Sequence, residues 1–274
     1  MQKYSIFNLI KNALSNHEKW DLAWKDPTPK KEYDVVIIGG GGHGLATAYY
    51  LAKEHNITNV AIIEKGWIGG GNVGRNTTII RSNYMYDDNA LFSEFGMDLW
   101  RKMSQDLNYN VMFSPRGIIN LAHSDAQMNV YARRGNSMRL NGIDAVLLNR
   151  EQVKEIIPMA DFSDNVRFPI FGGLMQPSAG TARHDAVAWG YARQADSMGV
   201  DIIQNCEVLG FDVSAGKIKT IGILDITPIK PKPIGQIINC FPKITPKTNG
   251  IAFFNPYLAP VDNNTILAGP GVPT

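Results

Sequence analysis

The apolar and polar positions of this chain follow the order of an α/β protein. A continuous apolar run at residues 35–38 predicts a buried strand, glycines follow at 39–44, and residues 45–55 carry apolar side chains at helical spacing. Residues 60–63 form a second apolar run. Because parallel strands need a crossover connection, this order predicts a parallel βαβ unit.

The middle of the chain predicts further strands and a capped helix. Residues 117–122 and 143–148 have the apolar character of strands. Asn149 is a suitable N-cap, with Gln152 in the position that completes a capping box, and Pro158 is expected to end the helix.

Residues 184–199 predict another helix, because they are rich in alanine, apolar at helical spacing and closed by Gly199. A strand and then a hairpin are predicted beyond it, with the hairpin turn at residues 214–216. After Leu224 the chain is rich in proline and shows no convincing period, so no regular element is predicted there.

The first residues predict an amphipathic helix, with Ile6, Leu9, Ile10 and Leu14 on one face. This helix is expected to pack on the domain or on a partner subunit, with a membrane surface as the alternative. Polar residues interrupt it too often for a secretory or membrane-spanning segment. The chain thus divides into a helix and linker at 1–32, an α/β domain at 33–224 and an atypical proline-rich tail at 225–274.

Charge and cysteine content narrow the class of protein. The chain of 274 residues has 27 basic and 25 acidic side chains, a formal net charge of +2, so no overall field points to nucleic acid or an anionic membrane. Its cysteines, Cys206 and Cys240, have neither a CxxC nor a metal-ligand spacing. They favour a reducing compartment, and therefore the cytoplasm, over a disulfide framework, and no metal site is predicted.

The glycine segment has the spacing of a dinucleotide-binding turn. In Gly39-x-Gly41-x-x-Gly44 the first glycine permits the turn, the second lets the backbone approach a pyrophosphate and the third allows close helix packing. The helix N-terminus then offers N–H groups and its positive dipole end to the phosphates. Glu64, at the end of the next predicted strand, is suited to accept hydrogen bonds from ribose hydroxyls.

The segment after Glu64 favours FAD over NAD. It reads KGWIGGGNVGRNTTIIRSNY, a second glycine cluster followed by polar residues, where a simple NAD domain would usually proceed to a helix. Asn72, Arg75, Asn76 and Thr77 could reach phosphate or ribityl oxygens of a larger cofactor. The alternative is a solvated glycine loop.

Several long segments together resemble a known family. They are YDVVIIGGGGHGLATAYYLAKEH, NVAIIEKGWIGGGNVGRNTTIIRSNY, MSQDLNYNVMFS and RHDAVAWGYARQADSMGVDIIQNCEV. The chain resembles the beta subunits of heterotetrameric sarcosine oxidases, which belong to the FAD-dependent glycine/D-amino-acid oxidases. The resemblance extends from the first residues to about Val213.

The resemblance implies a fold and an activity. The fold is an α/β Rossmann-like FAD-binding domain with a parallel sheet, plus an α+β substrate domain that is incomplete here, so that residues 33–224 form the oxidoreductase domain. The activity is oxidative demethylation of sarcosine to glycine with non-covalent FAD, from which electrons pass to a covalent FMN and then to oxygen. The implied partners are alpha, gamma and delta subunits, with tetrahydrofolate bound by the alpha subunit.

The resemblance also implies roles for individual residues. The pyrophosphate turn takes in Gly39, Gly41, Gly42, His43 and Gly44, the ribose acid is Glu64, and the second flavin loop contains Asn72, Arg75 and Thr77. The strand whose backbone meets the adenine contains Val208, and the residue that carries FMN is His184.

Two side chains carry the candidate chemistry, and each has a plainer alternative. The His184 imidazole could bond to a flavin, with Arg183 favouring negative charge on the ring, but a lone histidine opening a helix is commonly a cap or surface residue. Arg81 could grip the substrate carboxylate through a bidentate fork, or be a solvent-facing arginine on a strand. His43 and His123 are expected to be structural or to position backbone rather than to catalyse.

Residues 225–274 do not follow the family pattern. Family members run well past 274 residues, and neither the oxygen-activating lysine nor the glycine-rich segment of their distal part is found in this sequence. The chain is therefore expected to be a fragment, a frame-disrupted product or a chimera, and to bind FAD weakly when expressed alone. The alternatives are a related FAD-dependent dehydrogenase of dimethylglycine or glycerol 3-phosphate, which TARHDAVAW disfavours, and a non-catalytic scaffold subunit.

Overall fold

The computed structural model describes residues 6–16, 18, 22–25, 27–215, 217–225 and 245–253. The described helices are α1 (Ile6–Leu14), α2 (Gly42–His55), α3 (Asp87–Asp106), α4 (Asp125–Leu140), α5 (Arg150–Ile156) and α6 (His184–Ser197). The described strands are β1 (Glu32–Ile38), β2 (Val60–Ile63), β3 (Ile79–Ile80), β4 (Ile118–Ala122), β5 (Val146–Asn149), β6 (Gly172–Gln176), β7 (Gly180–Thr181), β8 (Asp201–Ile203), β9 (Cys206–Ser214), β10 (Lys217–Asp225) and β11 (Thr245–Phe253). The chain divides into two compact units, Met1–Asn76 with Val187–Thr274 and Thr77–Ala186.

A parallel sheet forms the centre of the first unit. Its strand order is β11-β1-β2-β8, and its pairings are all parallel. Every residue of β2 is buried, and so are Val36 and Ile37 of β1. Continuous apolar runs of this kind are typical of parallel strands that are covered on both faces. The predicted α/β fold with a parallel sheet is therefore confirmed.

Helix α2 packs through its predicted apolar face. The buried residues of that face are Leu45, Ala48, Tyr49 and Ala52. The helix begins at Gly42, earlier than the predicted start at Leu45, because the Leu45 N–H already donates to the Gly41 carbonyl oxygen at 3.0 Å. With β1 and β2 on either side of it in sequence, α2 completes the predicted βαβ unit.

Strands β9 and β10 form the predicted hairpin. Their antiparallel register runs from Cys206↔Asp225 to Ser214↔Lys217. The Cys206 N–H donates to the Glu64 carbonyl oxygen at 2.9 Å, so β9 begins beside the segment that follows β2. The core cluster that joins hairpin and sheet contains Tyr33, Val36, Ala61, Ile63, Ile203, Cys206, Ile221 and Ile223.

The proline-rich tail contributes a strand to the sheet. Strand β11 pairs in parallel with β1, with a register from Glu32↔Thr245 to Ile38↔Phe253. No element is predicted there from the sequence pattern, because the strand TPKTNGIAF has its apolar residues only near its end. The sequence pattern assigns no element to the tail, and the structure adds a strand at 245–253, while 226–244 and 254–274 lie outside the described residues.

The second unit contains an antiparallel sheet of order β4-β6-β5. Strands β4 and β5 confirm the predicted ones, although β5 begins later, at Val146. The central strand β6 is not predicted, because Gly172 and Gly173 weaken a strand pattern. Close strand pairing requires a glycine here, since a Cβ at Gly172 would lie 2.4 Å from the Leu148 carbonyl oxygen.

Helix α5 has the predicted capping box. The Asn149 side chain accepts from the Gln152 N–H at 2.9 Å, and the Gln152 side chain accepts from the Asn149 N–H at 2.9 Å. The helix ends at Ile156, before Pro158, as expected. Both contacts join residues that are close in sequence, which is why the sequence alone predicts them.

Helix α1 confirms the predicted amphipathic helix but has no buried residue. Its exposed apolar side chains are Ile6, Phe7, Leu9, Ile10 and Leu14. The expected packing of this helix on its own domain is therefore not found among the residues that the structure describes. Packing on a partner subunit stays a prediction.

Candidate cofactor and substrate sites

The first glycine turn connects β1 to α2. Gly39 has φ +104°, a left-handed conformation that favours glycine. A Cβ at Gly44 would lie 2.1 Å from the Gly39 carbonyl oxygen, so a larger residue would push the helix away from the turn. A Cβ at Gly41 would instead meet no heavy atom within 4 Å. The backbone at Gly41 therefore borders open space, from which a ligand can approach it.

The N-terminus of α2 has no side-chain cap. Its N-cap residue is Gly41, with φ −78° and ψ 179°, and Gly42 is the first helical residue. His43 is exposed in the same turn. Because the first N–H groups of a helix lack acceptors within the helix, this end is suited to receive an anion such as a diphosphate.

The Glu64 carboxylate is held at the edge of the turn. Its Oε2 accepts from the Gly40 N–H at 2.7 Å, and its Oε1 accepts from the Gly66 N–H at 2.8 Å. The Glu64 N–H donates to the Ile203 carbonyl oxygen at 2.9 Å, which fixes the residue to the end of β8. Since a carboxylate has about four acceptor sites, both oxygens keep capacity for hydroxyl donors.

The second glycine cluster repeats the spacing of the first as Gly69-x-Gly71-x-x-Gly74. Gly69 has φ +89°, and a Cβ at Gly74 would lie 2.0 Å from the Gly69 carbonyl oxygen. This turn opens only a 3₁₀ helix, Asn72–Gly74. The repeated spacing is readable from the sequence, but it becomes meaningful only once the backbone geometry shows the same close approach.

The predicted residues of the second flavin loop are divided between the two units. Asn72 and Arg75 are exposed and belong to the first unit. Thr77 is also exposed and is the first residue of the second unit. Asn76, between them, donates from Nδ2 to the Val73 carbonyl oxygen at 2.9 Å. The geometry thus brings Asn72 and Arg75 to one turn.

Val208 lies in β9, where it pairs with Ile223 of β10. Its side chain is half-buried and packs against the core cluster that contains Ile63 and Cys206. Because Cys206 is hydrogen-bonded to the Glu64 segment, the strand that contains Val208 starts next to the predicted ribose acid.

His184 is the first residue of α6. Its Nδ1 atom is buried and has no hydrogen-bond partner among the described residues. A buried polar atom without a partner is uncommon and costly, and it is a reason to look for a ligand or a modification. Arg183 donates from Nε and Nη2 to Asp185 at 2.9 and 3.0 Å, and these bonds hold the pKa of Asp185 below its usual value. Arg183 therefore forms an ion pair with Asp185.

Arg81 follows β3 and is half-buried, unlike the solvent-facing arginine of the plainer alternative. Its Nη1 donates to Asn83 Oδ1 at 2.5 Å, and its Cζ lies 5.1 Å from the centroid of the Tyr84 ring. Arg134 reaches the same amide oxygen. Asn83 and Arg134 are candidates that the sequence does not reveal, because no local spacing connects residues 51 positions apart.

Two searches of the described residues found nothing further. In the described ranges, no helix has both the length and the apolar character needed to cross a membrane. The same residues contain no group of three or more His, Cys, Asp or Glu side chains that could hold a metal ion.

Three features together are typical of a dinucleotide-binding α/β protein. They are the parallel sheet, the glycine turn that opens a helix and the acid at the end of the next strand. The profile of the family described as FAD dependent oxidoreductase matches residues 34–241. The chain belongs to this family, and FAD is the cofactor that the family description names.

The relatives of the chain include sarcosine oxidase subunits beta. It is 60% identical to that of Rhizobium meliloti (strain 1021) over 216 residues, which are 79% of this chain and 52% of the relative. It is 56% identical to that of an Arthrobacter species over 191 residues, 70% of this chain and 47% of the relative. The predicted resemblance is confirmed, and the chain spans about half the length of the curated relatives it matches.

Solved structures share the fold. The L-proline dehydrogenase from P. horikoshii has a TM-score of 0.68 and 23% identity, covering 82% of this chain and 53% of that chain. The glycine oxidase from Bacillus cereus ATCC 14579 has a TM-score of 0.65 and 19% identity, covering 81% and 55%. At these identities the likeness supports the predicted FAD-binding fold alone.

Proposed function

We propose that the first glycine turn and Glu64 bind non-covalent FAD. One observation carries this assignment: the Glu64 carboxylate is held by the N–H groups of Gly40 and Gly66 beside a turn that opens an uncapped helix. Gly41 lacks the side chain that would fill the adjoining space. These residues fit the diphosphate and the ribose of a dinucleotide.

We assign the remaining cofactor contacts to the residues that the family resemblance implies. They are Gly39, Gly42, His43 and Gly44 in the pyrophosphate turn, Asn72, Arg75 and Thr77 in the second loop, and the backbone of Val208 at the adenine. The start of β9 beside the Glu64 segment supports the assignment of Val208.

We further propose that the chain is the FAD-bearing part of a sarcosine oxidase beta subunit, which demethylates sarcosine to glycine. The support is its 60% identity to a protein of that name. When bound, FAD supplies the electron acceptor for the oxidation of an amine. The residues of the chain bind and orient the substrate, and Arg81 is assigned to its carboxylate because a guanidinium offers a bidentate fork to a planar anion.

We include His184 as the site of covalent FMN, through which electrons reach oxygen. Its buried Nδ1, which has no partner among the described residues, is compatible with a group bound there. The names of the relatives designate a beta subunit, which supports assembly with other chains. We propose alpha, gamma and delta subunits as these partners, with tetrahydrofolate on the alpha subunit receiving the one-carbon unit.

We also propose a cytoplasmic location and an oxidoreductase domain at residues 33–224. The lack of a CxxC or metal-ligand spacing between Cys206 and Cys240 supports a reducing compartment. The family match over residues 34–241 supports the domain, although it extends beyond the proposed end.

The activity is tested by adding sarcosine without oxygen to the full chain assembled with FAD and its partner subunits. Sarcosine is expected to bleach the flavin absorbance, and peroxide is expected once oxygen is admitted. Dimethylglycine and glycerol 3-phosphate are the competing substrates. Bleaching by one of these and not by sarcosine would contradict the proposal, and bound FAD that none of them reduces would support a scaffold subunit.

The FMN attachment is tested by flavin fluorescence of the assembled protein after denaturation in acid. Fluorescence that stays with the chain and maps by mass spectrometry to the peptide of His184 is expected, and His184→Asn should abolish it. His55→Asn is the matched control, because His55 is an exposed helical histidine that belongs to no proposed site. Fluorescence that persists in His184→Asn would exclude this attachment site.

A further inference from the structure

Two arginines of the second unit share one amide oxygen. Arg81 Nη1 donates to Asn83 Oδ1 at 2.5 Å, and Arg134 Nη2 donates to the same oxygen at 2.9 Å. Arg134 also donates from Nε and Nη2 to the main-chain carbonyl oxygen of Asn83. One fully buried asparagine therefore holds two guanidinium groups together.

The Asn83 side chain is held in this orientation from its other end. Its Nδ2 donates to Oδ1 of Asn120, on β4, at 2.7 Å. Because the amide nitrogen is bound to this acceptor, the amide oxygen faces the arginines. Asn83 is 0% exposed, so turning its amide would leave buried polar atoms without partners, which is costly.

The backbone before Asn83 is held just as firmly through Ser82. The Ser82 N–H donates to Gln176 Oε1 at 3.0 Å, and its hydroxyl accepts from Gln176 Nε2 at 2.7 Å. The same hydroxyl donates to Glu94 Oε2 at 2.5 Å. Since Ser82 and Gln176 are both fully buried, these contacts fix the segment that carries Arg81.

Within the part of the chain that the structure describes, neither Arg81 nor Arg134 forms an ion pair with a carboxylate. Glu94 reaches the same segment, but it is bonded to Ser82 and forms an ion pair with Arg101 at 3.2 Å. Burial lowers the pKa of Arg134, and the positive charge of Arg81 lowers it further. Arginine nevertheless stays protonated in proteins, so two positive charges share a neutral oxygen.

We propose that Arg134 is a positioning residue for the substrate carboxylate. It holds Asn83, Asn83 presents the Arg81 guanidinium, and Arg134 contributes a second positive charge near the bound anion. The ligand that this arrangement suits is a small amino acid bound through its carboxylate. This inference rests on the assignment of Arg81 in the proposed function.

The first test compares Arg134→Gln with Arg139→Gln in the full chain assembled with FAD and its partner subunits. Arg139 is the matched control, because it lies on the same helix and its Nε also donates to a main-chain carbonyl, that of Ala145, at 3.0 Å. The substrates are sarcosine and sarcosinamide, which replaces the carboxylate by a neutral amide. Steady-state KM and kcat are measured, together with equilibrium binding, which does not depend on turnover.

Arg134→Gln is expected to raise KM for sarcosine about tenfold, to change kcat by less than about twofold and to leave sarcosinamide unaffected. Arg139→Gln should change neither KM nor kcat for either substrate. Arg134→Lys should recover part of the loss, because the charge returns without the bidentate contact.

The second test, Asn83→Asp, separates charge from folding. The new carboxylate has the shape of the amide and can pair with both guanidiniums, while Asn120 can turn its own amide to donate to it. The unfolding temperature is expected to stay the same or rise, whereas KM for sarcosine should rise about tenfold because the positive charge is now offset internally. A purely structural role predicts an unchanged KM.

Three results would overturn the positioning role: equal effects of Arg134→Gln and Arg139→Gln, equal effects on sarcosine and sarcosinamide, or an unchanged KM in Asn83→Asp. Arg81→Gln distinguishes this inference from the proposed function. If Arg81→Gln leaves sarcosine binding unchanged, the assignment of Arg81 itself fails. If it weakens binding and the Arg134 and Asn83 variants do not, only the positioning role fails.

Discussion

In the first glycine turn a Cβ at Gly44 would lie 2.1 Å from the Gly39 carbonyl oxygen, and in the second a Cβ at Gly74 would lie 2.0 Å from that of Gly69. The first glycine of each turn has a positive φ, +104° at Gly39 and +89° at Gly69. Both turns therefore have the same local geometry, and in both the third glycine is required by the close approach of backbone.

The surroundings of the two turns differ. The first follows the buried strand β1 and opens α2, which has 14 residues. The second opens the 3₁₀ helix Asn72–Gly74, which has no buried residue. Glu64 lies between them in sequence, but its carboxylate is bonded to Gly40 of the first turn. Glycine spacing thus specifies a turn, and only a helix anchored in the sheet adds a series of aligned N–H groups beside an acid.

The largest effect on the free energy of unfolding is expected for Gly44→Ala, which disrupts the packing of the first turn. The methyl group would collide with the Gly39 carbonyl and approach Ile37 Cγ2 at 3.2 Å, lowering the free energy of unfolding by about 3 kcal/mol or more. Chemical denaturation measures this loss. Gly96→Ala on α3 is the control, since a Cβ there meets nothing within 4 Å, and equal stability of the two variants would contradict the steric argument.

Glu64→Gln is expected to have the second-largest effect, because it removes the carboxylate that is bound to the first turn and not to the second. A glutamine has one side-chain oxygen for the N–H groups of Gly40 and Gly66, so one partly buried donor loses its acceptor at a cost of about 1 kcal/mol. FAD affinity, measured by fluorescence titration, should fall about tenfold. Glu54→Gln, at an exposed position of α2, should change neither quantity.

Gly74→Ala should have a smaller effect than Gly44→Ala despite the equally close contact. The second turn is exposed and can shift to make room, so we expect a loss of about 1 kcal/mol in the free energy of unfolding. The same denaturation experiment measures it. A loss as large as that of Gly44→Ala would show that the second turn is packed as firmly as the first.

The smallest effect on stability is expected for Gly41→Ala and Gly71→Ala. A Cβ at either position meets no heavy atom within 4 Å, so both variants should unfold within about 0.5 kcal/mol of the parent chain. FAD titration separates them, because only Gly41→Ala is expected to lower the affinity, by about tenfold. Equal losses would mean that the backbone of the second turn, and not only the side chains of Asn72 and Arg75, lies against the cofactor. No loss in either variant would refute the pyrophosphate assignment.

The elements that the sequence predicts are those that depend on neighbouring residues. The capping box of Asn149 and Gln152 joins positions three apart, and the hairpin of β9 and β10 closes over a short turn. Strand β6 is missed, because its glycines matter only when two flanking strands lie against it. Strand β11 is missed, because its place depends on pairing with β1 far away in sequence.

The candidate site residues also divide into those predicted from neighbouring positions and those found only in the tertiary structure. Gly39, Gly41, Gly44 and Glu64 are found from spacing alone, because strand, turn, helix and strand follow one another directly. The partners of Arg81 are not found, since Asn83 is an ordinary polar residue in the sequence and Arg134 is one of several arginines on or near α4. Only the packing of α4 beside the segment of Asn83 gives them a common role.

The sequence by itself determines the βαβ unit, its glycine turn and the acid after β2. These features depend on hydrogen bonds and backbone conformations over a few residues, which are set by the residue types present there. The tertiary structure decided which glycine turn opens an anchored helix, where the tail joins the sheet and which arginines meet at Asn83. These outcomes depend on contacts between distant segments, and such contacts form only when whole helices and strands pack.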